Sequence, residues 1–435
     1  MKNTEKINSD DAVKREDKRE MVFLSTNTKL EQQSFPGEDV PKEKFYLNDK
    51  DISLENDIDS HSGTQPQNPR DIFEVKVKNE VSNFINQAFD NIVFLVGAGA
   101  SIIPDKDKKG KSGMTVSNIS KIVEQELKNG LYKKKTKQFE VFTLEEMIKK
   151  TGYSFGVSSK KFNFEDLMSL IISFEKFESK DNRVKYGRTK NAIFDIIKKC
   201  TAYDFDSKVF NHIGVIKALS NIVKPEHKLN IVTTNYDTLI EDAANEMNYT
   251  VFDGFSFSQQ PIFNSEIFDW NLVKQVPHFD TKQLIYDTKS MNLFKIHGSL
   301  TWENDKELGI VRKHKNSVKD PIMIFPSSEK YAQSYQEPYF ELFAKFQDLL
   351  KQPNTLFITT GFSFADNHIS RMIMSAIKVN TSLSTLVTDY KISSKNENWN
   401  ELVSIMQSNY RVAFLKATMN ETLGSYLGAQ SGDDK

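Results

Sequence analysis

An α/β fold built on a doubly wound parallel sheet is predicted by three observations. A continuous apolar run, NIVFLV at 91–96, ends in the glycine-rich turn Gly97-Ala-Gly99-Ala-Ser101. From residue 229 onward, further apolar or β-branched runs alternate with amphipathic stretches of helical length. The segment between the glycine turn and residue 229 is far too long for one crossover helix, so the sheet carries an inserted helical subdomain. Such alternation is the pattern of a Rossmann-like sheet covered on both faces.

Residues 1–70 are rich in Lys, Glu, Asp, Asn, Ser and Gln and close on the turn-rich HSGTQPQNPR. That composition buries too little apolar surface to offset ordering entropy. A disordered N-terminal arm is expected, with at most a short docking segment at Phe45, Tyr46 and Leu47. The sheet domain spans 71–420, with the helical insert at about 115–225, and residues 421–435 are expected as a flexible tail.

Ile72, Val75, Val77, Val81, Phe84, Ile85 and Phe89 recur at near-helical spacing before the first strand. Within the insert, 162–177 and 190–203 are amphipathic. The strand candidates that follow are LNIVTT (229–234), MNLFKIHG (291–298), DPIMIF (320–325), NTLFITTG (354–361), STLVTD (384–389) and RVAFL (411–415). Helices are expected at 337–351, 367–378 and 397–408. Right-handed crossovers would bring the carboxyl ends of the strands to one edge, where chemistry is to be sought.

Composition narrows the function classes. Lys and Arg number 58 against 59 Asp and Glu, without the basic excess of a protein that lives on phosphate backbones. Local clusters at Lys106, Lys108, Lys109 and Lys111, and at Lys133 to Lys135 with Lys137, read first as solvated loops and second as a polyanion site. The single cysteine, Cys200, makes neither an internal disulfide nor a thiolate zinc module, and its apolar neighbours suit a packed helix position. No run approaches the roughly 20 apolar residues of a membrane span, and Met21 to Leu24 is too short for a signal sequence. A cytoplasmic location without membrane contact is expected.

Three strand ends carry the candidate chemistry. At Gly97-Ala98-Gly99-Ala-Ser101, followed by Ile103-Pro-Asp105, glycines let the backbone lie against a pyrophosphate; the third glycine of the usual dinucleotide fingerprint is missing, and a tight structural turn is the alternative. At Thr233-Thr234-Asn235-Tyr-Asp237, an amide and a carboxylate leave a buried strand where they can meet ribose hydroxyls or position a water. Helix capping is the competing role, more so for Asp237 than for Asn235. At His297-Gly298-Ser299, histidine offers proton transfer near neutral pH, although a lone histidine is more often a packing residue.

GAGAS, TTNYD and HGS, in this order, resemble the GAGxS, TQNxD and HG motifs of the sirtuin family, and IIPD at 102–105 is similar to the start of that family's cofactor loop. The helical insert and TTGFSFADNHI (359–369) look more specifically like the sirtuin-like domains of bacterial antiphage proteins. The likeness runs over roughly 75–415. It implies that Gly97, Ala98, Gly99 and Ser101 hold the pyrophosphate of NAD, while Ile103 and Asp105 flank the nicotinamide. Asn235 would hold the nicotinamide-ribose hydroxyls and a water, and His297 would act as base toward a ribose hydroxyl or that water. Thr234, Asp237 and Ser299 join the cofactor-binding set by motif position. Gly361 and Ser363 would meet the adenosine end. Asp366 reads equally as a helix cap, and His368 as structural.

Two departures from the family shape the expected reaction. The four-cysteine zinc module of deacylating sirtuins is impossible here, so no zinc is expected, and Lys106 and Asp107 replace the Phe and Arg that follow IPD. The expectation is therefore hydrolysis of NAD, as substrate, to nicotinamide and ADP-ribose in antiphage defence. The resemblance also implies a homo-oligomer triggered by a HerA-type hexameric ATPase, with a short Argonaute as the alternative partner and nucleic acid reached through the partner. Two other functions stay open: a nuclease or DNA-processing subunit beside a translocating ATPase, and a non-catalytic sensor of NAD or ADP-ribose.

Overall fold

The computed structural model describes residues 19–35, 42–53, 68–103, 113–159, 161–275, 284–323, 338–393 and 396–428. Eleven strands form the main sheet. They are β1 (Glu20–Leu24), β2 (Lys29–Phe35), β3 (Lys42–Leu47), β4 (Lys50–Asp51), β5 (Asn91–Val96), β6 (Leu229–Thr233), β7 (Thr250–Phe252), β8 (Ser290–Lys295), β9 (Thr355–Thr360), β10 (Leu383–Asp389) and β11 (Val412–Lys416). Their order across the sheet is β4-β3-β2-β1-β11-β10-β9-β5-β6-β8-β7. Every pairing from β11 to β7 is parallel.

Burial on both faces explains the continuous apolar runs of these strands. In β5, Ile92, Phe94 and Val96 point into one core while Val93 and Leu95 point into the other. The first core is closed by α1 (Pro69–Ile85), α6 (His212–Ser220), α7 (Leu239–Glu246) and α11 (Leu423–Tyr426), through residues such as Val77, Leu219, Ala243 and Leu423. The second is closed by α8 (Tyr339–Lys351), α9 (Asn367–Val379) and α10 (Glu397–Gln407), through Phe346, Ile373 and Trp399. At roughly 1.5–3 kcal/mol for each fully buried large apolar side chain, these two layers supply the main driving force for the sheet.

The insert has its own core. Helices α2 (Val116–Leu127), α3 (Leu144–Thr151), α4 (Phe164–Phe174) and α5 (Lys180–Thr201) bury Val123, Leu127, Met147, Leu167, Ile193 and Ile197 against one another. Leu300 and Met323 of the sheet domain reach into this core and dock the insert on the sheet. Cys200 is packed there too, as its helical position suggested. Helix α6, within the expected insert range, instead lies on the sheet. Residues 131–140 form a two-stranded hairpin, Leu131–Lys134 with Lys137–Glu140, rather than helix, and carry Lys133 to Lys135 and Lys137 on an exposed edge.

Residues 19–35 and 42–53 depart from the expected arm. Strand β1 pairs antiparallel with β11, Phe23 opposite Leu415, and β2 to β4 extend the sheet beyond it. Val22, Phe23, Leu30, Phe45 and Ile52 enter the main core, and the Phe45 ring stacks on Phe73 with centroids 4.8 Å apart. Polar side chains in these strands find partners, as when Tyr46 donates to Gln33 Oε1 at 2.9 Å. Alternating short strands thus bury enough surface despite a charged average composition. Residues 1–18, 36–41 and 54–67 of the expected arm, and 429–435 of the expected tail, lie outside the described residues.

Of the strand candidate at 320–325, the described part forms a strand at Ile322–Met323, which pairs with Gly298–Ser299 apart from the main sheet; residues 324 and 325 lie outside the described residues. Strand β7 had no counterpart among the candidates. No helix among the described residues is long and apolar enough to cross a membrane.

Candidate functional site

The strand order has a switch point. From β5 the chain moves to β6 on one side, and after β8 it crosses to β9 on the other side of β5. In such sheets the crevice outside the carboxyl ends at the switch is where ligands bind. Val96 pairs with both Thr233 and Thr360, and Thr233 with Lys295, so Gly97, Thr234, Ile296 and Gly361 follow in register along that edge.

Glycines let the two central strand ends meet. The Gly97 N–H donates to the Thr360 carbonyl at 2.9 Å and the Gly99 N–H to the Gly361 carbonyl at 2.9 Å. A Cβ on Gly97 would sit 2.5 Å from the Gly361 carbonyl oxygen, and one on Gly361 would sit 2.3 Å from the Ala100 nitrogen. Gly361 also has φ +62°, a left-handed conformation that a side chain resists. Ala98–Ser101 forms a single 3-10 turn, and among the described residues the next α-helix, α2, begins at Val116 with Thr115 as its cap.

Asn235 is buried at this edge. Its Nδ2 donates to the Gly97 carbonyl and to Ser101 Oγ, both at 3.1 Å, while its own N–H donates to Thr233 Oγ1 at 3.0 Å. The Ser101 hydroxyl in turn donates to Asp237 Oδ2 at 2.8 Å, and Asp237 Oδ1 accepts from the Leu239 N–H at 3.2 Å. Asp237 therefore ties the glycine turn to the start of α7. Burial pushes its carboxyl up, with Lys295, Ser101 and the Leu239 N–H pulling partly back. Lys295, itself buried, donates to the Asp237 carbonyl and to Glu241 Oε1, the latter at 2.9 Å.

His297 arrives from the next strand end. Gly298 beside it has φ +92°, and a Cβ there would lie 2.2 Å from the Ile322 carbonyl oxygen, so only glycine lets the chain turn the imidazole inward. His297 Nε2 lies 3.6 Å from Asp366 Oδ2, an ion-pair distance too long for a hydrogen bond. Both atoms are buried without a hydrogen-bond partner among the described residues. Asp366 meanwhile caps α9 through its other oxygen, accepting from His368 N at 2.8 Å and Ile369 N at 3.0 Å. Burial pushes the Asp366 carboxyl up, but His297, the Ile369 N–H and His368 outweigh it and hold it below the usual carboxylate value.

Glu165 was not among the residues singled out from the sequence. It sits in the first turn of α4, and Asn163 caps that helix through Oδ1. Its side chain borders the same cleft as Asn235, His297 and Asp366. Although partly exposed, its carboxyl is poorly solvated. It is pushed up to about 7, by burial first, with His297 pulling it back in part and the carboxylates of Asp366 and Asp166 adding to the rise. The insert also lends Tyr203, which accepts from the Met114 N–H at 2.9 Å and whose hydroxyl burial pushes up to about 12.

The expected site residues divide accordingly. Ala98, Ser101, Thr234, Asn235, Asp237, His297, Gly361 and Ser363 border one cleft. Gly97 and Gly99 lie directly behind it, joined to Thr360 and Gly361. Ile103 turns away to pack with Phe210 and Leu239. Ser299 turns away too, its Oγ bonded to Thr301 Oγ1 at 2.9 Å. Asp105 and the lysines at 106–111 lie outside the described residues.

A doubly wound parallel sheet with a glycine-lined switch point, and a cleft beside it bordered by Asn235, His297 and Asp366, defines a Rossmann-like α/β protein. Residues 229–406 match the family described as SIR2-like domain, so this part of the chain is similar to that family. The matched segment runs from β6 to the end of α10 and includes Asn235, His297, Gly361 and Asp366; the glycine turn and Glu165 precede it. A SIR2-like domain is compatible with NAD-dependent activity. No curated protein matches the chain.

Proposed function

We propose that the protein cleaves the bond between nicotinamide and ribose in NAD, releasing nicotinamide and ADP-ribose. The observation that carries this reading is the convergence of Asn235 and His297, from two different strand ends, on one cleft beside the glycine turn. NAD suits the residues present. Gly97 and Gly99 let the ends of β5 and β9 meet behind the cleft, and Ala98, Ser101 and Gly361 of that junction border it, where a pyrophosphate would lie. The buried, unpartnered His297 Nε2 offers a hydrogen-bonding group to a sugar hydroxyl.

As the glycosidic bond lengthens, positive charge grows on the ribose, and the buried carboxylate of Asp366 contributes a favourable field through His297. Asn235, fixed by Gly97 and Ser101, would orient the ribose hydroxyls and the attacking water. His297 would hold or accept a proton at the sugar.

The biological role is part of the proposal and rests on the likeness of the insert and of TTGFSFADNHI to antiphage proteins. In this reading the chain is an oligomeric effector that depletes NAD once a HerA-type ATPase signals infection. Nicotinamide release and NAD loss should be measured with the purified protein, alone and with the product of its neighbouring gene. Asn235→Ala and His297→Ala should each lower turnover by at least ~10²-fold, the scale of a lost acid–base group. Unchanged turnover in both variants rejects the site. Tight NAD binding without product in either preparation favours a sensor instead.

A further inference from the structure

Hydrolysis of a nicotinamide–ribose bond releases a proton. The oxygen of water bonds to the ribose C1′, the C1′–N bond breaks with its electron pair going to the ring nitrogen, and neutral nicotinamide departs. The proton left on the attacking water must go to a base. Resting on the NAD-hydrolase reading, we propose that Glu165, carried by the helical insert, is the base that takes this proton.

Three observations support the assignment. Glu165 borders the cleft together with Asn235 and His297, so its carboxylate is placed to meet a water there. His297 Nε2 lies 3.6 Å from Asp366 Oδ2 without a hydrogen bond, and in the NAD-hydrolase reading that nitrogen is given to a ribose hydroxyl, so the proton of the attacking water needs a second acceptor. The groups around Glu165 also set its proton affinity close to neutrality. Burial raises it, His297 from the end of β8 lowers it, and Asp366 from the cap of α9 and Asp166 on its own helix raise it again. The Tyr236 hydroxyl, beyond the end of β6, lies near enough to feel the same carboxylate, whose charge helps to push it up. A base poised near the working pH is the most effective kind.

The ionised form of Glu165 does the work, so wild-type kcat/KM should rise with pH through about 7. Because the carboxylate comes from the insert, the cleft is chemically complete only when the insert is docked through Leu300 and Met323. Any partner that shifts the insert would then control turnover.

The test is Glu165→Gln, which keeps shape and resembles the protonated side chain, assayed in the same preparations as wild type. NAD affinity and melting behaviour should be retained, while nicotinamide release falls ~10²-fold and the rise of rate through neutrality disappears. Azide attacks C1′ without a proton to lose, so high azide should restore nicotinamide release by the variant and yield ADP-ribosyl azide, with no acceleration of wild type. A variant with the wild-type rate and pH profile overturns the proposal, as does a slowed variant that azide does not rescue. If wild type itself releases no nicotinamide in any preparation, NAD hydrolysis fails and the base assignment with it. An active wild type with an unaffected variant removes the base alone.

Discussion

The two oxygens of Asp366 face different tasks. Oδ1 accepts the first free N–H groups of α9, and Oδ2 faces the imidazole of His297. Asparagine caps a helix about as well as aspartate, whereas alanine loses roughly 0.5–2 kcal/mol. Asp366→Asn should therefore leave the melting temperature near wild type while lowering NAD cleavage, and Asp366→Ala should lower both. Paired melts and nicotinamide assays separate the roles; equal activity in Asp366→Asn and wild type would remove the carboxylate from the chemistry. The charge also carries a pH signature. Its folded value is held below the ordinary one, so its contribution to stability is present above that range and lost as pH falls through the folded value.

Residues of this kind were only partly legible in the sequence. Asn235 and His297 stood out because each ends a buried strand, where a polar side chain is out of place unless it is used. Glu165 did not stand out. An acidic residue in the first turn of an amphipathic helix is ordinary, and it suits the helix dipole. Only the docking of α4 over the sheet edge turns it toward His297. Ser299 was assigned by motif position alone, and the turn after Gly298 sends its hydroxyl to Thr301 instead.

At the scale of elements, the glycine contact between the ends of β5 and β9 positions the cleft. Gly361→Ala would combine a left-handed φ, costing roughly 1–2 kcal/mol, with a Cβ 2.3 Å from the Ala100 nitrogen. Gly152, the C-cap of α3, has a similar φ of +69°, but a Cβ there would meet nothing within 4 Å. Thermal melts should show Gly361→Ala losing clearly more stability than Gly152→Ala, together with NAD binding. Equal losses would mean that the close approach is not a constraint. Phe364 in the TTGFSFAD loop reinforces the point: it has φ +58°, unusual for a bulky side chain, and is held there by complete burial between Phe362 and Trp399.

Elements buried on both faces were legible because their apolar runs are unbroken, and β5, β6, β8, β9, β10 and β11 each match an expected strand. Strands β1 to β4 were not. The apolar run Met21–Leu24 reads only as too short for a signal sequence, Leu30 and Phe45 are scattered among polar residues, and the pairing of β1 with the distant β11 has no local sign. The hairpin at 131–140 was hidden for a similar reason, since only Tyr132 of its first strand is buried.

At the scale of the molecule, the sheet supplies the edge that carries Asn235 and His297, and the insert supplies a wall carrying Glu165. These two parts have separate cores, joined by few apolar side chains. That construction suits an enzyme whose activity depends on how its parts are docked. The SIR2-like match covers only the second half of the sheet domain, so the glycine turn and the insert are read from their own geometry.

A crystal structure of Asn235→Ala or Glu165→Gln soaked with NAD would probe the cleft most directly. The pyrophosphate should lie against Gly97–Ser101 and Gly361, and the nicotinamide ribose between position 235 and His297, with position 165 beside C1′. NAD bound elsewhere, or a ribose that meets neither position 235 nor His297, would refute the assignment of this cleft as the site of NAD cleavage.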